Sequence, residues 1–203
     1  MKIICIGRNY NNHVLELKNK TSDDMIFFLK PETAIILKNQ PFFIPDFSKE
    51  IHHEIEVVIK INKTGKHIQE KFAHTYYHEL TLGIDFTARD LQKNIKKNGE
   101  PWEKAKAFDG SAPVGRFIQK HDIQDIQNLN FKLTVNQEEK QSGNTKNMTY
   151  TIKQIISYIS RFITLKKGDL IFTGTPAGVD KIKKGDFLEG FINNERIIDI
   201  KIK

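Results

Sequence analysis

The stretch His52-His53-Glu54-Ile55-Glu56-Val57-Val58-Ile59, which continues to Ile61, decides how this chain reads. Side chains alternate faces along an extended strand, so His52, Glu54 and Glu56 share one face while Ile55, Val57 and Ile59 take the other. The alternation predicts a strand over His53–Ile61. Two carboxylates side by side on an apolar strand repel each other and lose hydration, a cost that a cation between them removes. Glutamates paired with surface lysines would give the same pattern, so a third carboxylate is needed. Asp85, at the end of the apolar strand Leu82–Phe86, supplies a candidate. It also stands where a helix begins, and an Asp there is more often an N-cap, though Thr87 could serve that role instead. All-oxygen ligands favour Mg²⁺, Mn²⁺ or Ca²⁺ over zinc. His52 and His53 do not change this, because one strand cannot aim both imidazoles at the same ion.

Around this strand the pattern predicts strands at 1–7, Phe27–Leu29, Ala34–Leu37, Asp169–Thr173, Phe187–Ile192 and Arg196–Ile202. A hairpin of Phe131–Val135 and Gln137–Gln141 should turn at Asn136. Helical spacing marks Asn9–Lys20, Phe72–Leu80, Thr87–Lys97 and Thr151–Phe162. In the last of these Ile152, Ile155, Ile156, Ile159 and Phe162 form one stripe. Many short strands with a few helices predict a single, sheet-dominated α+β domain over residues 1–203.

The chain has 203 residues, enough to bury a real core, and the formal net charge of +7 comes from 32 Lys and Arg against 25 Asp and Glu. Lysines spread across turns read as a solvated surface, which argues against nucleic acid as a partner. No apolar run approaches the ~20 residues of a membrane span, and MKIICIGRNY lacks a signal-type cleavage site. One cysteine, Cys5, excludes a disulfide framework or a cysteine-rich zinc module. The expected setting is a reducing, cytoplasmic one.

Six segments in order then carry a resemblance: IGRNYNNHVLE (6–16), FFLKPETA (27–34), HHEIEVVIKI (52–61), GIDFTARDLQ (83–92), KAKAFDGSAPVG (104–115) and GDLIFTGTPAGV (168–179). Together they resemble the fumarylacetoacetate hydrolase superfamily, in particular its short members, the acylpyruvate hydrolases and oxaloacetate decarboxylases. The resemblance implies that family's β-rich α+β fold and usual homodimer. It implies Glu54, Glu56 and Asp85 as ligands of Mg²⁺ or Mn²⁺ and Lys106 beside the metal and the substrate oxygens. It also implies His13 and Glu16 as an H-x-x-E pair on a mobile lid helix near 9–20. Arg89 and Gln92 would lie beside the pocket, and Thr175 in the loop that holds a substrate carboxylate. Arg8 and Lys30, in matching motifs, are further candidates for a substrate carboxylate, or else anchor their own turns.

These residues make chemical sense by themselves. His13 and Glu16, at i and i+3, share a helix face, and a carboxylate that orients an imidazole makes it a base for activating water. The loop Thr173–Gly178 lacks the lysine of a phosphate-binding loop but offers backbone N–H groups and a hydroxyl suited to a small carboxylate. The expected activity is hydrolysis of acylpyruvates or decarboxylation of oxaloacetate, through a pyruvate enolate stabilised by the metal. Isomerases or hydratases of hydroxylated dienoic acids are the alternative within the family. A basic polyanion-binding protein is the alternative outside it. Val14, Leu15, Met25 and Phe28 are candidate pocket walls.

Overall fold

The computed structural model describes residues 1–16, 24–36 and 40–203. Along the chain the elements run β1 (Ile3–Gly7), α1 (Asn11–Glu16), β2 (Ile26–Lys30), β3 (Ile51–His53), β4 (Ile55–Ile61), α2 (Glu70–Ala73), β5 (Tyr77–Ile84), β6 (Thr87–Ala88), α3 (Arg89–Asn98) and α4 (Glu103–Lys106). Then follow β7 (Ile118–Gln119), β8 (Asn130–Val135), β9 (Glu138–Asn144), α5 (Ile152–Phe162), β10 (Leu170–Phe172), β11 (Asp180–Lys181), β12 (Phe187–Ile192) and β13 (Glu195–Lys201). The result is the sheet-rich α+β fold that the pattern predicts.

Among the described residues a six-stranded sheet has the order β2-β1-β10-β4-β5-β7, with β1 and β10 parallel and the other neighbours antiparallel. Both faces of its central strands are covered, which is why β1 and β4 carry near-continuous apolar runs. Ile4, Ile6, Ile55, Val57, Ile59, Leu80 and Leu82 join the main core with the β8, β12 and β13 side chains and the α5 stripe. Ile3, Cys5, Val58, Leu170 and Phe172 face the other way, into a smaller core with Ala34 and Ala112. The second sheet, β13-β12-β8-β9, lies on the main face. Gly190 of β12 permits this contact, because a Cβ there would sit 2.6 Å from Ile198 and 3.1 Å from Ile55. Asn136 and Gln137, both at positive φ, make the tight turn between β8 and β9.

Several elements depart from the sequence reading. The strand expected over His53–Ile61 breaks at Glu54: β3 pairs with β6 and β11, and β4 enters the six-stranded sheet. Phe72–Leu80 is not a helix. Phe72, Tyr76 and Leu80 mimic a helical stripe, but only Glu70–Ala73 is helical and Tyr77 already pairs with Ile61 in β5. The strand expected over Ala34–Leu37 is a short 3₁₀ turn at Glu32–Ala34, after Pro31; Leu37 is outside the described residues. Thr151 caps α5 in a capping box: its side chain accepts from the Gln154 N–H, and the Gln154 side chain accepts from the Thr151 N–H. No helix among the described residues is long and apolar enough to cross a membrane.

Candidate metal centre and active site

The break at Glu54 builds the site. It turns Glu54 out between two sheets, and its carbonyl accepts the Asp85 N–H at 2.8 Å, which brings the end of β5 alongside. Glu56, two residues on in β4, faces the same side. One carboxylate oxygen from each of Glu54, Glu56 and Asp85 lies within 4.8 Å of the others, and all three residues are buried. That spacing matches oxygens arranged around one ion at 2.0–2.6 Å from each.

Fixed cations and amides surround the triad. Lys106 donates to Glu54 Oε2 (2.9 Å), Asp85 Oδ2 (2.8 Å) and Thr87 Oγ1 (2.5 Å), so its ammonium bridges two of the three carboxylates. Arg89 donates to Glu54 Oε1 at 2.5 Å and to Gln92 Oε1 at 2.6 Å. Gly174, at φ +99°, donates its N–H to Glu56 Oε2 at 2.6 Å. A Cβ at Gly174 would lie 2.7 Å from that of Asn9, so only glycine allows this close approach. Asn9 is itself clamped, donating to Tyr150 O and Thr173 O and accepting from Tyr150 N–H. It thereby ties the β1–α1 loop to the Thr173–Thr175 loop.

Electrostatics split the carboxylates. Burial opposes ionisation of Glu54, but Lys106 and then Arg89 outweigh it and hold the carboxyl well below its ordinary range. For Glu56 burial is reinforced by Asp85 and Glu54, and its carboxyl is pushed well above the ordinary range. Asp85 Oδ1 is 2.8 Å from Lys30 Nζ yet makes no hydrogen bond. A buried carboxylate forced upward by its neighbours, beside a carboxylate oxygen without a hydrogen bond, is the donor set a divalent cation would complete. The residues therefore fit such an ion, held by Glu54, Glu56 and Asp85.

His13 of α1 covers the triad from above, and its Nδ1 is 3.3 Å from Glu16 Oε2. Glu16 Oε1 in turn accepts the Gly178 N–H at 2.9 Å, which fastens the helix to the loop after β10. Burial lowers the His13 pKa below its ordinary value, against the partial support of Glu54 and Glu16. With Nδ1–H donated to Glu16, a neutral His13 keeps Nε2 as a proton acceptor.

The cavity between these groups is lined by His13, the triad, Lys106, Arg8, Arg89, Gln92 and Thr175, so most of the sequence candidates converge there. Arg8 reaches it from a left-handed backbone conformation, φ +61°. Lys30 does not line it. Its fully buried ammonium lies behind Asp85, on Phe86 O, Ser111 O, Ser111 Oγ and Lys106 O, so it braces the triad rather than facing a ligand. Asp85 and Thr87 cap nothing: α3 starts after Ala88 without a side-chain cap, and the Asp85 carboxylate faces the two lysines. Of the candidate walls, Phe28 lines the cavity, Leu15 is 73% exposed, Met25 belongs to the main core, and the Val14 side chain is outside the described residues. His52 contacts Glu50 and Arg89, and His53 contacts Gln141; neither belongs to the group of ligand atoms formed by Glu54, Glu56 and Asp85.

Three contributors escaped the sequence reading. Gln141 of β9 donates to Thr175 Oγ1 (2.8 Å) and accepts from the Ile55 N–H (3.0 Å), linking the second sheet to the site. Trp102 and Lys96 also line the cavity. Position 141 looks like any polar residue of a half-exposed hairpin, while Lys96 at seven residues from Arg89 was detectable from helical spacing.

The sequence and the fold are similar to those of known proteins. The family model "Fumarylacetoacetate (FAA) hydrolase C-terminal" matches residues 2–198. Oxaloacetate tautomerase FAHD1, mitochondrial, of Mus musculus is 42% identical over 99% of this chain and 91% of its own length. Oxaloacetate decarboxylase, mitochondrial, of Dictyostelium discoideum is 41% identical over 93% of this chain and 87% of its own. The crystal structure of fumarylpyruvate hydrolase from Pseudomonas aeruginosa in complex with Mn²⁺ and pyruvate superposes with a TM-score of 0.94 at 31% identity. It covers 100% of this chain and 89% of that one. This chain belongs to the fumarylacetoacetate hydrolase family.

Proposed function

We propose that the chain is a divalent-cation-dependent enzyme of small 2-keto acids, which hydrolyses acylpyruvates to pyruvate and an acid and decarboxylates oxaloacetate. The observation that carries this is the buried Glu54–Glu56–Asp85 triad, bridged by Lys106 and covered by the His13–Glu16 pair. When bound by the three carboxylates, Mg²⁺ or Mn²⁺ supplies a Lewis acid that stabilises negative charge on a keto oxygen. Lys106 adds a fixed positive charge beside the same position.

In hydrolysis neutral His13 takes a proton from water while Glu16 holds the imidazole. The hydroxide adds to the distal carbonyl, the C–C bond breaks, and its electron pair passes to the pyruvate enolate. The imidazolium then returns the proton to the enolate carbon. In decarboxylation the bond to the terminal carboxylate breaks and CO₂ departs, leaving the same enolate without need of activated water. Interconversion of keto and enol oxaloacetate is a second reading, favoured by the His13–Glu16 pair, since it needs only proton transfer at that enolate.

Helix α1 serves as the lid. The cavity beneath it has about 30 Å³ of free space, room for roughly two waters, and movement of α1 would enlarge it for a keto acid. Pyruvate release from acetylpyruvate and from oxaloacetate, with Mg²⁺ or Mn²⁺ and with EDTA, tests the proposal against a metal-only blank. EDTA-sensitive release that disappears in Glu54→Ala is expected. Release that survives both EDTA and the substitution contradicts it.

A further inference from the structure

The loop after β10 is backed by the second sheet, so closely that a Cβ at Gly178 would collide with Lys140 O of β9. From β9 the Gln141 side chain, 1% exposed, reaches into that contact. The direction of its amide is fixed by partners that can play only one part. The Ile55 N–H only donates, so the atom facing it at 3.0 Å is Oε1. The Pro176 carbonyl only accepts, so the atom facing it at 2.9 Å is Nε2. Turning the amide over would set two donors together at Ile55 and two acceptors together at Pro176. His53 Nδ1, 2.9 Å from Oε1, completes the acceptor end and carries a hydrogen for the same reason. Of the two Nε2 hydrogens, one goes to Pro176 O and the other to Thr175 Oγ1 at 2.8 Å.

The consequence falls on Thr175. Its oxygen accepts from Gln141, so its own hydrogen has to point elsewhere. Among the described residues the protein offers it Pro176 O, at 3.5 Å, which is the limit of a hydrogen bond and a carbonyl already accepting the amide. The other direction is the cavity, which Thr175 lines.

We propose that Gln141 is a positioning residue for the keto-acid reaction: by filling the acceptor side of Thr175 Oγ1 it turns the hydroxyl hydrogen into the cavity, as a donor to a substrate carboxylate. Gln141 is not in the cavity lining itself, so it acts through Thr175. Glutamate, of the same size, would act in the opposite sense, because a carboxylate only accepts and would draw the Thr175 hydrogen back out of the cavity. The inference rests on the keto-acid reading above and adds to it a residue from the second sheet.

Steady-state hydrolysis of acetylpyruvate by the Mg²⁺-loaded full chain tests this as a double-variant cycle with Thr175→Val. Gln141→Glu is expected to raise KM about tenfold or more, the contribution of a hydrogen bond to a charged group, with kcat within about threefold. In the Thr175→Val background, where no hydroxyl is left to turn, the same change should move KM by less than about threefold. Gln141→Met, which removes the donor without adding charge, should raise KM by a smaller factor, again only with Thr175 present, and it serves if the glutamate variant does not fold. An unchanged KM in the Gln141 variants overturns the proposal. A rise of equal size in both backgrounds also overturns it, since that marks a charge or packing effect, and so does a loss carried by kcat. If Thr175→Val alone leaves KM unchanged, the hydroxyl does not hold the carboxylate, and the proposal falls while the keto-acid reading stands. Wild type inactive on both acetylpyruvate and oxaloacetate overturns the two together.

Discussion

At the scale of the residue, Lys106 sets the charge balance. It is buried, and its ammonium contacts Glu54, Asp85 and Thr87, so removing it breaks two buried ion pairs and leaves Glu54 to Arg89 and Asp85 to Lys30. Lys106→Met should cost about 3–5 kcal/mol of stability in metal-free protein. Mg²⁺ should recover part of that loss, as read from urea unfolding with and without EDTA; a cost below about 1 kcal/mol in EDTA would show that the pairing contributes little. His13 yields a pH prediction. Its folded pKa lies below the ordinary 6.5, so the imidazole stays neutral, and able to accept a proton, to lower pH than a free histidine. A bound cation acts in the same direction. The acid limb of kcat/KM for acylpyruvate hydrolysis should therefore fall below pH 6.5, and a limb above it would remove His13 as the base. Glu54 and Glu56 were legible as a pair because strand alternation is local. Asp85 was open between cap and ligand on spacing alone, and only the family resemblance named it a ligand; in the structure it caps no helix.

At the scale of the element, α1 is six residues long and too short to be stable alone. Its hold on the body includes the Glu16 contact to the Gly178 N–H and a contact between Thr149 and Asn11. Glu16→Gln keeps the shape but weakens the orientation of His13. Hydrolysis should drop about 10²–10⁴-fold while decarboxylation, which needs no activated water, falls far less. Equal losses in the two steady-state assays would remove the assigned role of Glu16. The sequence reading placed this helix over Asn9–Lys20. Asn11–Glu16 is helical, and residues 17–20 lie outside the described ones. The helix at Thr87–Lys97 and the stripe at Thr151–Phe162 were legible because their periodicity is strong and local. Phe72–Leu80 was not, because the pairing of Tyr77 with Ile61 is a long-range contact that overrides a local stripe.

At the scale of the molecule, the site is a convergence. The loop after β1, the β3–β4 break, the ends of β5 and α4, one face of α3 and the loop after β10 all meet on one end of the six-stranded sheet. Local spacing shows E-x-E and H-x-x-E, but no spacing rule brings residues 13, 54, 85, 106 and 175 together. Their grouping was legible only through the six ordered segments of the family resemblance. Gln141, on the second sheet, was not legible even so, since its contact depends on how one sheet lies over the other. The central claim is that this convergence makes one divalent-cation site. Its most direct test is Mn²⁺ titration followed by the electron paramagnetic resonance signal of the free ion, in wild type and Glu56→Gln. One ion bound per chain in wild type, and none in Glu56→Gln over the same range, is the predicted result. Failure of wild type to bind Mn²⁺ at millimolar concentration, or unchanged binding in Glu56→Gln, would contradict the account.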